Sequence, residues 1–326
     1  MLKTENTSNR LIEDFRGDFK KIAFLMKESW SENKIQPLLY TKEFLESCFE
    51  YPGANFKLAP TIYHKNTPKA FVAGFPRRVR YRERELNILL ITFLTVAPEY
   101  KKTGYGIIVW SDLVRRAREA GFDGMMNYCV DGEAMNSMIM GCCNRMNLAA
   151  EHVYSVRYLT SLLLPRPQKD TEGATSLDID ALMRIGNSIA NHSPLARVWN
   201  RNQAEWQCKR SGAIVARIRT GSREGMITGY IMRVADDNRT KCLFIEDILW
   251  GNLKEERETL VKALTAKAVT AGAQLAVAPM LGYADMEPFK RTRFRPSQKV
   301  LHAYFTNWSA ANTAVGPLSS FYLDVY

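Results

Sequence analysis

One stretch of this 326-residue chain carries residue types suited to holding a polyanion. From Leu90 to Ala120 it reads LITFLTVAPEYKKTGYGIIVWSDLVRRAREA. An apolar run ends at Val96, the loop Lys101-Lys102-Thr103-Gly104-Tyr105-Gly106 follows, and a helix is expected over Ile107–Ala120 with Gly121 as its C-terminal cap. Gly104 and Gly106 carry no side chain to keep an anion off the backbone. The N–H groups of Thr103 to Ile107 can then converge on one spot. The helix N-terminus adds about 0.3–1 kcal/mol per favourable anion contact. Lys101 and Lys102 add full charges, and the whole suits a pyrophosphate. A plain strand-to-helix loop is the alternative. Neither GxxxxGK[ST] nor GxGxxG with its acidic partner is present, so two familiar nucleotide loops are excluded.

The string V-x-P-x-Y-K-K-x-G-x-G, Val96 to Gly106, resembles the acyl-coenzyme A signature of the GNAT superfamily of N-acetyltransferases. Where that family has Arg or Gln in (Q/R)xxGxG, this chain has Lys101, which keeps the charge and loses the planar fork. A second family mark lies on the helix after the next strand: Asn136 matches its Asn, Cys143 stands at its Tyr, and Asn147-Leu148 replace its Gly-Phe. The resemblance covers residues 16–165 and is strongest over 87–148. It implies an acyl-CoA cosubstrate, acetyl-CoA first, on Lys101, Lys102, Thr103, Gly104, Tyr105, Gly106 and Asn136. The thioester would lie against the backbone of Leu94, Thr95 and Val96, where that strand splays from Met125–Val130. An amine would attack it directly. Cys143 is the implied acid, with an ordinary thiol pKa near ~8.5, or an acyl-accepting nucleophile; a packed core cysteine is the alternative. Asn87–Val96 carries no acid, so the base candidates are Glu133, His152 and Tyr128.

The elements that must position these residues occur twice. Phe19–Trp30 has helical spacing, Thr41 is an N-cap candidate for Thr41–Phe49, and Asn87–Val96 is apolar enough for a strand buried on both faces. A displacement of 151 residues lays Gly121 on Gly272 and Val96 on Asp247, and strand, helix, glycine and strand align in order. The reading is α/β (α+β): two GNAT-like domains, each a mixed, mostly antiparallel sheet flanked by helices. Residues 1–165 form the first, 166–176 the Pro-, Gly- and charge-rich linker, and 177–326 a degenerate second copy. Trp250–Glu256 keeps one glycine and sets Glu255 and Glu256 at the helix start, so this copy is not expected to hold a pyrophosphate.

Composition narrows the setting. With 46% apolar and 24% charged residues and no apolar run long enough to span a bilayer, the chain reads as a cytoplasmic globular protein without a membrane partner. The six cysteines form no CxxC and the four histidines are far apart, so no metal site is expected from local spacing. The +11 charge is spread evenly and favours anionic partners. Arg78, Arg80, Arg82 and Arg84 alternate along one strand, either as a solvated edge or as a guide for an acidic partner. The expected function is transfer of an acyl group from acyl-CoA to an amine. The alternatives are the same fold with aminoacyl-tRNA or an acyl carrier protein as donor, and a non-catalytic acyl-CoA binder.

Overall fold

The computed structural model describes residues 12–30, 38–81, 83–130, 134–164, 177–234, 240–308 and 316–325. The first half runs β1 (Ile12–Asp14), α1 (Phe19–Trp30), β2 (Leu38–Leu39), α2 (Lys42–Phe49), β3 (Pro60–His64), β4 (Thr67–Tyr81), β5 (Arg84–Val96), α3 (Tyr105–Glu119), β6 (Gly124–Val130), α4 (Ala134–Arg145) and β7 (Ala150–Leu162). The second runs α5 (Ile179–Ala190), β8 (Leu195–Arg197), α6 (Arg201–Lys209), β9 (Ala213–Thr220), β10 (Arg223–Val234), β11 (Lys241–Leu249), α7 (Arg257–Thr270), β12 (Leu275–Met280), α8 (Glu287–Arg291), β13 (Arg295–Asn307) and β14 (Phe321–Tyr322). From α1 to β7 and from α5 to β13 the order of helices and strands is the same.

One mixed, mostly antiparallel sheet passes through both halves, in the order β1-β3-β4-β5-β6-β13-β7-β12-β11-β10-β2. The last strand of each half is exchanged. β13 of the second half lies antiparallel on β6, β7 of the first lies antiparallel on β12, and the two exchanged strands pair with each other. The short strands between the first two helices cross over as well: β2 pairs with β10, and β8 pairs with β4. None of this is readable from local periodicity.

Strand β5 is buried on both faces because its side chains alternate between two helical layers. Leu89 and Ile91 pack with α3 residues Val109, Trp110, Leu113 and Val114. Ile88 and Leu90 pack on the other side with Ile22, Leu25 and Met26 of α1. Trp110 is fully buried, and its indole N–H donates to Asn127 at 3.2 Å, which pins α3 to β6. Thr41 caps α2 as expected, accepting from the Phe44 N–H. Gly121 and Gly272 end the two long helices. No described helix is long and apolar enough to cross a membrane.

The arginine arm differs from a free edge. Residues 67–81 form one continuous strand, and β8 pairs with its outer end through Val79, Arg80 and Tyr81. Arg78 and Arg80 pair with Glu85, and Arg80 also donates to Asn191. Arg82 lies outside the described residues.

Candidate functional site

Parallel strands β5 and β6 are paired only from Ile88–Gly124 to Ile91–Asn127, although both run on beyond. Past that point they part, leaving a gap between Thr92–Val96 and Tyr128–Val130. At the mouth of the gap β5 carries a bulge. Its register with β4 jumps from Phe71–Thr95 to Ala73–Thr92, so Phe93 and Leu94 oppose Val72 alone. Phe93 takes the left-handed conformation, φ 61°. A bulge removes backbone groups from the regular ladder and re-aims them. Here it does so beside the gap, at Leu94, with Thr95 and Val96 next in line.

Beyond Val96 a short 3-10 turn, Pro98–Tyr100, leads to the glycine loop. Gly104 is the N-cap of α3 in the left-handed conformation, φ 86°, and a Cβ there would meet nothing within 4 Å. The loop therefore opens to solvent where the helix starts. The N–H groups of Gly106 and Ile107, in the first turn, have no acceptor within the helix and point along its axis. Thr103 behaves differently from expectation: its N–H and its hydroxyl both turn onto the Tyr100 carbonyl, at 3.2 and 2.7 Å, closing the loop rather than facing a ligand. Lys102 is exposed, and Lys101 reaches back to donate to the Ser29 carbonyl at the end of α1, 3.0 Å away.

A clasp that the sequence reading missed holds this loop. The rings of Tyr100 and Tyr105 stack 5.0 Å apart, 12° from parallel. Their hydroxyls meet the two nitrogens of His64, at 2.9 and 3.0 Å. The loop and the start of α3 are thereby tied to the end of β3. No local spacing signals it, because His64 stands 36 and 41 residues from its partners.

The acid–base candidates are not gathered at the gap. Cys143 is fully buried and its side chain lies beside the Thr306 hydroxyl. Thr306 is in register with Met125, two positions before the strands part. Burial pushes this thiol up to about 11. Tyr128 donates its hydroxyl to the Asp324 carbonyl at 3.0 Å, so the chain near the C-terminus floors the gap on the α1 side. His152 lies on β7, separated from β6 by β13. Glu133 lies outside the described residues, and Asn136 is in the first turn of α4 with its side chain outside them.

A buried ionic network also escaped the sequence reading. Asp324 is clamped by Arg77 and Arg197, all three almost fully buried. Burial opposes its ionisation, but the two guanidinium groups win and hold the carboxyl well below the usual range. Nearby, Glu246 pairs with Arg210 and accepts from Gln207. Desolvation is the largest influence there and raises Glu246 to about 7.

The second half repeats the splay without the cradle. β11 and β12 pair only over Cys242–Phe244 and Leu275–Val277 and then part. At the start of α7, however, the Glu256 carboxylate bonds its own backbone N–H and that of Lys254, and pairs with Arg223 at 2.8 Å. The helix start is already occupied by an anion from the chain itself.

No family model matches the chain, and no curated protein sequence does. Solved structures do. N-myristoyltransferase of Saccharomyces cerevisiae with bound myristoyl-CoA is 13% identical, with a TM-score of 0.72 over 92% of this chain and 83% of that one. A Pyrococcus horikoshii chain with an acetyltransferase assignment is 13% identical, TM-score 0.57, over 98% and 97%. A GCN5-related N-acetyltransferase of Kribbella flavida is 12% identical, TM-score 0.52, over 91% and 71%. The chain thus shares its fold with an N-myristoyltransferase and with GCN5-related N-acetyltransferases.

Proposed function

We propose that the chain is an acyl-CoA-dependent N-acyltransferase whose donor site is the gap between β5 and β6. The observation that carries the reading is the parting of these strands after Ile91 and Asn127, immediately before an open glycine loop at the start of a long helix. The pyrophosphate would rest on the N–H groups around Gly104 and Gly106, with Lys102 adding charge. The pantetheine arm would enter the gap, and the bulge at Phe93 and Leu94 would offer backbone N–H groups to the thioester carbonyl. Donors aimed at a developing oxyanion lower the barrier more than they tighten ground-state binding.

The amine nitrogen attacks the thioester carbon and the C–N bond forms. The tetrahedral oxyanion collapses, the C–S bond breaks, and the CoA thiolate takes up the proton the nitrogen sheds, directly or through water. Cys143 has no part in this scheme. The likeness to a structure holding myristoyl-CoA sets long acyl chains beside acetyl as donors, and the acceptor is an amine of a small molecule or peptide. A non-catalytic acyl-CoA binder is the second reading, favoured by the full burial of Cys143 and by the position of His152 two strands away from the gap.

Calorimetric titration with acetyl-CoA, myristoyl-CoA and bulk tRNA at two salt concentrations tests the donor, and thiol release with amine acceptors tests turnover. Saturable acyl-CoA binding with amine-dependent thiol release supports the transferase. Binding without release supports the binder, and salt-sensitive tRNA binding alone overturns both.

A further inference from the structure

Two histidines 150 residues apart in the chain meet where the exchanged strands β7 and β13 run side by side. His302 is opposite Ser155 and Tyr304 is opposite His152, with a bulge between that brings His152 and Ser155 onto one face. His152 Nε2, Ser155 Oγ and His302 Nδ1 form a nearly equilateral triangle with sides of 3.1, 3.1 and 3.2 Å. The Tyr304 ring lies 5.5 Å from that of His152, and His152 itself is exposed to solvent.

We propose that this triangle binds a divalent transition-metal ion, zinc foremost, which clamps the two exchanged strands together. Tetrahedral zinc with ligand bonds of ~2.0–2.1 Å holds its donor atoms roughly 3.3–3.5 Å apart. The rings need to separate by only a few tenths of an ångström to accept it. One ring N–H can donate to the hydroxyl while the hydroxyl donates to the other ring, and an ion would replace these bonds by taking a lone pair from each imidazole. The His152 ring also hydrogen-bonds the Tyr154 backbone, the kind of contact that orients a ligating ring. Among the described residues no three His, Cys, Asp or Glu side chains cluster. The site therefore has two imidazoles, a hydroxyl and solvent, which makes it exchangeable rather than permanently filled. Imidazole donors select zinc, copper or nickel over magnesium or calcium.

Because β7 and β13 belong to opposite halves of the chain, an ion bound here joins them only in the folded state and stabilises it by mass action. The inference is independent of the acyltransfer reading. The test titrates chelator-treated full-length protein with zinc chloride by calorimetry and follows thermal unfolding with and without zinc. Cobalt spectra exclude thiolate ligation by the cysteines. One saturable site, a raised unfolding midpoint and a loss of affinity of roughly tenfold or more in both His152→Ala and His302→Ala support the proposal. Should His302→Ala fail to fold, exposed His152→Ala and Ser155→Ala carry the comparison. No saturable binding to the wild type, a thiolate band with cobalt, or wild-type affinity in His152→Ala overturns it.

Discussion

Replacing Gly104 by alanine separates what the loop does for the fold from what it does for a ligand. At φ 86° an alanine is held in the left-handed region, which costs about 1–2 kcal/mol. Nothing lies within 4 Å of the added Cβ, so no steric term is added in the free protein. Gly121, at the other end of the same helix, has φ 80° and equally open surroundings. Gly121→Ala therefore carries the same strain, and the two variants should lower the urea midpoint by similar amounts. They should differ only in binding. At position 104 the methyl group stands where an anion approaches the first N–H groups of α3. Losing one or two charge-assisted hydrogen bonds at about 1.5–3 kcal/mol each weakens CoA by at least roughly tenfold. Denaturant titration and calorimetry with CoA measure the two effects. Unchanged CoA affinity in Gly104→Ala, or equal weakening in Gly121→Ala, would refute the phosphate-loop reasoning.

The other predictions concern the surroundings of the site. Trp110→Ala removes a fully buried indole and the hydrogen bond to Asn127, and should destabilise by about 3–5 kcal/mol in denaturant titrations. Asp324→Asn leaves Arg77 and Arg197 buried without their carboxylate and should cost about 3–5 kcal/mol at pH 7. The folded pKa of Asp324 is depressed, so its contribution is present above the unfolded carboxylate range near ~3.9 and is lost as pH falls below it. The gap between wild-type and Asp324→Asn midpoints should close on acidification below about pH 4, and a constant gap would contradict the ion-pair account. For Cys143, a thiol raised to about 11 by burial should resist iodoacetamide at pH 7 in the native state. Cys143→Ala should keep turnover while losing about 1 kcal/mol of stability; loss of turnover with intact CoA binding would restore a catalytic role.

The residues themselves were enough to specify the strands and the long helix around the gap. A helix places residues three and four apart on one face, and a strand alternates, so the stripe Val109–Trp110–Leu113–Val114 and the doubly buried run Ile88–Ile91 could be read without coordinates. The glycines that open the loop before α3 and end that helix were legible for the same reason: positive φ and an unobstructed backbone are demands on single residues. The loop's detail was less so, since Thr103 closes on Tyr100 and Tyr105 is drawn to His64. What joins distant segments leaves no period in the chain. The exchange of β7 and β13, the Arg77–Asp324 pair across 247 residues, the Glu256 carboxylate filling the second helix start and the meeting of His152 with His302 depend on which edge each strand finds. Side-chain spacing decides which elements form. The pairing of exposed backbone edges, satisfied equally well by a strand from either half, decides which of those elements become neighbours, and only the tertiary structure records it.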